Sequence, residues 1–265
     1  ICCGTAATDF GSPFAGGRIL YAVGSDNTTN GYPINPVLAT GVNPTTGLLT
    51  PLANPTIFTG PFFLGLNTDA SGRLFGIAGS PPSSLQAFVI NPVTGALTGA
   101  TGNSFASGAI SSPSAARLSP NGNFYAVAAR NTNNVGVYHI SGSGNATTMA
   151  ALSGSPFATG GTLPCALAFN RAGTFLFVAN GDSRNLTTFA SSPSTGILSS
   201  TSVQESNSLG TTGRIFGLAY YAPVSTASCG EQTVINSQVA FSSSGTVAPP
   251  TCGTQGYASD YLLTT

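Results

Sequence analysis

The side chains able to move protons are few. Among 265 residues there are one histidine, two glutamates, five aspartates, seven arginines and no lysine. General acid–base catalysis draws on His, Glu, Asp or Lys held in a cleft. His139 lies within VGVYHIS, without a second histidine for a metal pair. It reads as a strand histidine with a hydrogen-bonded or wet imidazole, since a base would need an orienting carboxylate that the spacing does not identify. Asp182 stands two residues from Arg184 in NGDSRN, and Asp69 stands near Arg73 in DASGR. Both pairs read as local ion pairs closing equivalent turns.

The five cysteines, Cys2, Cys3, Cys165, Cys229 and Cys252, lack the CxxC spacing of zinc or haem attachment sites. Cys2, Cys3, Cys229 and Cys252 are disulfide candidates with three connectivities, two of which tie the N-terminus to the C-terminal segment. Cys165, in LPCALAF, reads as a small buried hydrophobe. No GxxxxGK[ST], no GxGxxG before a helix and no EF-hand loop is present, so no cofactor or metal is expected. Scattered arginines balanced by acids build no basic face, which argues against a nucleic-acid partner.

The elements that would position these residues repeat. GRILYAVG (17–24), GRLFGIAG (72–79), GNFYAVAA (122–129) and GTFLFVAN (173–180) begin 55, 50 and 51 residues apart. Each is a glycine turn leading into a run of β-branched and aromatic residues. NPTTGLLT (43–50), NPVTGALT (91–98) and SPSTGILS (192–199) follow at similar offsets, with 139–152 as a divergent copy. Pro presets one turn position and Gly supplies positive φ, so these are strand–turn–strand connections. FFLGLNTDASG (62–72), AARLSPNGN (115–123) and CALAFNRAG (165–173) place a short apolar strand before each glycine turn.

Four antiparallel strands per repeat of about 51 residues describe a propeller blade. The fold class is therefore all-β: a small β-propeller of about five four-stranded blades, with four to six allowed. The repeats run from about 17–66, 67–118, 119–169 and 170–220, with 221–265 and 1–16 expected to form a closing blade of one domain. Residues 206–220 restate the linker and an inner strand once more. Tyr21, Phe75, Tyr125 and Phe177 recur on one strand of successive units and read as blade-to-blade core.

LSPNGNFYAVAARNTNNVGVYHIS (118–141) and AFNRAGTFLFVANGDSRN (168–185) resemble the YVTN/lactonase-like propeller repeats of secreted and cell-surface proteins. GSPFATGG (154–161) and NPVTGALT fit the same pattern. The resemblance covers residues 11–220 and implies architecture. Its lactonase members imply ring-opening of a sugar lactone by residues around the central channel, but their active-site residues find no matching positions here.

Charged residues make up 5% of the chain and the net charge is zero, against about a quarter charged in ordinary domains. A neutral surface of Ser, Thr, Asn and Gly favours self-association. The start at Ile1, without Met or a charged leader, fits a processed extracellular product. Sequons at Asn27, Asn145 and Asn185 permit glycosylation. These features lead to the expectation of a non-enzymatic extracellular structural protein that self-associates into a filament, sheath or surface layer, with glycans as partners and no membrane-spanning segment. A carbohydrate- or protein-binding adhesin is the alternative, and a lactonase-like hydrolase using His139 is the third reading.

Overall fold

The structure, a computed structural model, describes residues 5–8, 18–23, 35–43, 45–60, 63–78, 83–92, 94–205 and 214–220. The chain divides into two compact units, Ile1–Tyr220 and Tyr221–Thr265. The second lies outside the described residues, and so does the closing blade expected there.

Four antiparallel sheets follow one another along the first unit. The first holds β1 (Thr5–Thr8), β2 (Arg18–Val23), β3 (Asn35–Val42) and β4 (Leu49–Gly60). The second holds β5 (Phe63–Thr68), β6 (Arg73–Ala78), β7 (Ser84–Ile90) and β8 (Leu97–Gly99), with β9 (Phe105–Ala106) paired back onto β7. In the third, β10 (Pro113–Leu118), β11 (Phe124–Ala129), β12 (Asn134–Ser141) and β13 (Thr148–Ala151) are joined by β14 (Phe157–Ala158) on β12. The fourth is β15 (Pro164–Phe169), β16 (Phe175–Asn180), β17 (Asn185–Ser191) and β18 (Leu198–Glu205). The all-β blades read from the repeats are thus present, each strand neighbouring the next in sequence.

The turns form as the repeated motifs require. Asn43 and Asn91 accept backbone N–H groups two to three residues on, and Gly47, Gly95 and Gly196 then take φ of 70, 71 and 70°. Apolar faces of successive sheets meet in separate clusters. Tyr21 and Ile19 pack with Leu74 and Phe88, Phe75 and Ile77 with Tyr125 and Val127, and Ala126 and Val137 with Leu176 and Phe189. Blade-to-blade core therefore accounts for Tyr21, Phe75 and Tyr125. Phe177 differs, being half-buried and stacked on Tyr220 at 5.8 Å and 10°.

Two expectations change. The strand before each glycine turn, not the one after it, faces its counterparts: β1 lies against β5, β5 against β10 and β10 against β15. Each sheet consequently begins one strand earlier than the repeat units drawn from the glycine turns. Thr5–Thr8 pairs with β2, Thr5 opposite Ala22 and Thr8 opposite Ile19, and so occupies this first-strand position of the first sheet, where the sequence placed it with residues 221–265 in a closing blade.

Side chains tie these first strands together. The Asn67 amide donates to the Ala116 carbonyl at 3.2 Å and accepts from Leu118 N at 3.2 Å. Ser114 Oγ donates to the Pro164 carbonyl, and one repeat later the buried Cys165 thiol donates to the Ile215 carbonyl at 2.9 Å. Residues 214–220 therefore run alongside β15 as a fifth member of the series, with Ile215 and Leu218 packed on Cys165, Ala166 and Ala179.

Candidate functional site on the loop face

Each sheet has two ends. At one, turns join the first strand to the second and the third to the fourth. At the other lie the second-to-third loops and the connections into the next sheet. The four non-glycine residues with left-handed φ among the described residues all lie at this loop end. Asn133 (53°) and Arg184 (56°) close loops 130–133 and 181–184, and Ser112 (56°) and Leu163 (58°) precede β10 and β15. At the turn end, Gly72, Gly122, Gly142 and Gly173 fill such positions. A left-handed non-glycine residue costs about 1–2 kcal/mol, and such residues gather at functional sites.

Asn133 offsets this cost with packing bonds: its Oδ1 accepts from Leu163 N at 3.0 Å, and its carbonyl accepts from Thr159 N and Oγ1 at 3.1 and 3.0 Å. Arg184 does not. Its side chain is exposed and makes no hydrogen bond or ion pair to the described residues. Its neighbour Asp182 pairs with Arg214 at 2.7 Å, with both side chains accessible at 40% and 55%. A carboxylate and an unpaired guanidinium thus stand in one loop-end turn of the fourth sheet, with the paired guanidinium of Arg214 brought onto the carboxylate.

The loop is pinned from below. Gly181 N donates to the Leu163 carbonyl at 2.8 Å and Asp182 N to the Thr162 carbonyl at 3.2 Å. Ser183 Oγ accepts from Thr162 N at 2.8 Å and donates to Asn185 Oδ1 at 3.0 Å. Asn180 and Asn185, opposite each other across β16 and β17, close the loop's base. Asn180 Nδ2 donates to Asn185 Oδ1 at 2.8 Å and to Thr187 Oγ1 at 2.9 Å, and Thr187 Oγ1 donates to the Thr159 carbonyl. Asn180, Thr187 and Thr159 are fully buried, and Asn180 Oδ1 has no partner among the described residues.

Several residues singled out in the sequence fall elsewhere. Asp69 pairs with Arg73 at 2.6 Å as expected, but the pair is buried, and Arg73 reaches the Gly142 carbonyl of the next sheet at 3.3 Å. Asp182 does not pair with Arg184; its carboxylate pairs with Arg214, which arrives from the fifth first-strand position. The two Asp–Arg motifs also lie at opposite sheet ends, not in equivalent turns. His139 is exposed at the turn end of β12, its ring 5.6 Å from that of Phe124. Asn145 is exposed, whereas Asn185 is a buried core polar residue committed to Asn180 and Ser183, which corrects its reading as a glycan acceptor. Asn27, Cys2, Cys3, Cys229 and Cys252 lie outside the described residues. Among the described residues no group of three His, Cys, Asp or Glu could hold a metal ion, and no helix is long and apolar enough to cross a membrane.

Arg214 and the Asn180–Thr187 node were missed in the sequence. A signal existed in the fourth glycine-turn strand, where FVAN ends on asparagine although IAG and VAA end on small residues.

Comparison with known proteins agrees with this architecture. The family described as "Lactonase, 7-bladed beta-propeller" matches residues 83–211. A 6-phosphogluconolactonase candidate from Bacteroides fragilis superposes with a TM-score of 0.58 at 16% identity, over 77% of this chain and 58% of that one. A protein from Lactobacillus plantarum gives 0.59 at 18%, over 77% and 59%. One of unknown function from Desulfotomaculum acetoxidans gives 0.51 at 18%, over 76% and 69%. The chain thus spans about six-tenths of the length of the first two structures, 58% and 59%. No curated protein matches it. The family match overturns the expectation of a non-enzymatic structural subunit, which rested on low charge and a sparse catalytic set. A site needs only a few working side chains, so neither feature excludes an enzyme. From the third strand of the second sheet to the end of the fourth, the chain matches the lactonase-like β-propeller family, and its sheets are those of a propeller.

Proposed function

We infer that the protein hydrolyses a lactone at its loop face, and the match of residues 83–211 to lactonases carries this reading. Asp182 is the general base. Its carboxylate takes a proton from water as the water oxygen adds to the lactone carbonyl. Arg214, 2.7 Å from that carboxylate, orients it and offsets negative charge on the carbonyl oxygen. Collapse of the adduct breaks the ring C–O bond, and the leaving alkoxide takes the proton back from Asp182 to give a hydroxy acid. Arg184, unpaired and exposed, suits an anionic substituent on the substrate.

Proton release at constant pH, measured on neutral and anionic sugar lactones, tests the reading. Asp182→Asn should lower kcat/KM by roughly 10²- to 10⁴-fold, and Arg184→Ala should raise KM for anionic lactones alone. His139→Ala should leave the rate unchanged, since that residue lies at the turn end. Absence of hydrolysis across the panel, or full activity in Asp182→Asn, would overturn the reading.

An extracellular location with a glycan on Asn145 accompanies this reading, supported by the neutral composition and the exposed sequon. A mass loss on endoglycosidase treatment of the natural product, absent in Asn145→Gln, is the expected result.

A further inference from the structure

The third and fourth sheets solve the same junction in opposite ways. Ser112 and Leu163 share a left-handed backbone before equivalent first strands, which sets Ile110 against Gly161. The pairings Ala129 with Asn134 and Asn180 with Asn185 set Ala129 against Asn180 and Gly136 against Thr187. In the third sheet the junction is apolar apart from Asn134, whose Oδ1 accepts from Thr132 Oγ1 at 2.9 Å. Ile110 is buried, and a β-carbon on Gly136 would lie 2.8 Å from Ile110 Cγ2. In the fourth it is polar. A β-carbon on Gly161 would fall on Asn185 Oδ1 and 2.6 Å from Asn180 Cγ, so glycine there makes room for the two amides.

Alanine and glycine stand at the places of Asn180 and Thr187 in the third sheet, so that buried amide and hydroxyl are not needed to form a blade. What distinguishes the fourth sheet is its loop: 181–184 carries Asp182 and Arg184, whereas 130–133 carries no carboxylate. We propose that Asn180, Asn185, Thr187 and Thr159 form a positioning network that fixes the Asp182–Arg184 loop for catalysis. Asn185 Oδ1 receives both Asn180 Nδ2 and Ser183 Oγ, joining the network to the loop, and Thr187 Oγ1 anchors it to the connection that accepts Asp182 N. The assignment rests on the lactonase reading for its catalytic consequence but not for its structural one.

Three variants test it, with two readouts. Thr187→Val keeps the side-chain shape and removes the hydroxyl; Thr187→Ser keeps the hydroxyl. Gly161→Ile/Asn180→Ala/Thr187→Gly copies the third sheet's junction, so it provides a folded control if the single variant unfolds. Amide exchange at Gly181 and Asp182 should quicken roughly tenfold in Thr187→Val and in the triple variant, with sheet amides unchanged. For a neutral lactone kcat should fall roughly ten- to hundredfold with KM nearly constant, and Thr187→Ser should restore both kcat and the slow loop exchange. Unaltered loop exchange in Thr187→Val and the triple variant would overturn the network. Faster loop exchange with undiminished kcat would leave it structural only and equally overturn its positioning role. A wild-type protein without lactonase activity sinks the hydrolase reading, while amide exchange still decides whether the network holds the loop.

Discussion

Loops 130–133 and 181–184 join the second and third strands of adjacent sheets, begin with the same backbone bonds and end on a left-handed residue. They differ in what their side chains do. Asn133 turns inward and holds Leu163 N, so the third sheet's loop fastens its sheet to the next connection. Arg184 turns outward with no such bond, beside the accessible Asp182–Arg214 pair. Beneath the first loop lie Ile110, Ala129 and Gly136; beneath the second lie Gly161, Asn180 and Thr187. A repeat can thus preserve backbone geometry and its loop-base asparagine, Asn134 or Asn185, while exchanging the three residues packed beneath it, provided the exchange is concerted.

Concertedness gives the largest expected effect. In Gly136→Thr, the new β-carbon would meet Ile110 Cγ2 and Tyr138 Oη, each at 2.8 Å. Overpacking at a fully buried position should cost about 3 kcal/mol. Ile110→Gly alone should cost about 3–5 kcal/mol through the cavity it opens. The double variant should cost less than the sum by about 1–3 kcal/mol. Chemical denaturation of all four proteins measures this coupling, and strict additivity would mean the two sites are not one unit.

Crossing the polar layer is the next effect. Ala129→Asn places an amide beside Ile110 and Gly136, with only Asn134 Oδ1 opposite it, an acceptor already bonded by Thr132 Oγ1, and should cost about 2–3 kcal/mol through crowding and the carbonyl oxygen left without a donor. The reverse change, Asn180→Ala, should cost only about 1 kcal/mol. It removes two hydrogen bonds but also the unpartnered Oδ1, and Asn185 Oδ1 keeps its bond from Ser183. Equal losses in the two variants would show that the junctions are not specialised.

The layer and the blade were not equally legible. Four copies of a glycine turn before a β-branched and aromatic run dictate strands, because hydrophobic continuity and turn chemistry act within a few residues. FFLGLN, AARL and CALAF were visible as strands too, but nothing in them says which strand faces its counterparts, since that depends on how whole sheets stack. The site failed for the same reason. Asp182 stands beside Arg184 in sequence, yet its partner is Arg214, brought close by sheet-to-sheet packing. Asn185 looked like a surface sequon because Asn-Leu-Thr records no burial.

Buried tyrosines between the second and third sheets give a smaller, pH-dependent effect. Burial pushes the hydroxyls of Tyr125 and Tyr138 above their ordinary range, with Asn67 and Arg117 partly opposing this at Tyr125. The unfolded chain releases these protons near pH 10, whereas the folded one retains them. Stability should be complete below about pH 10 and fall as pH rises further. The two residues should separate on substitution by Phe. Tyr138 Oη donates to the Ser107 carbonyl at 2.6 Å, so Tyr138→Phe should cost about 1 kcal/mol. Tyr125 Oη makes no hydrogen bond among the described residues, the Asn67 amide pointing instead to the Ala116 carbonyl and Leu118 N. Tyr125→Phe should be neutral or stabilising and should flatten the alkaline decline. Thermal melts from pH 7 to 11 provide the check.

The smallest effect isolates the two loops themselves. Glycine at a left-handed position removes the steric penalty, so Arg184→Gly should stabilise the protein by about 0.5–1 kcal/mol. The same relief at Asn133 is small, since asparagine tolerates this conformation, while Asn133→Gly loses the bond to Leu163 N and should destabilise by about 1 kcal/mol. Opposite signs in denaturation would mean that residue 133 is kept for the fold, whereas residue 184 holds an unfavourable backbone for the sake of its guanidinium. If Arg184→Gly instead destabilised, the arginine would be serving the sheet after all, and the argument that its strain marks a ligand site would fall.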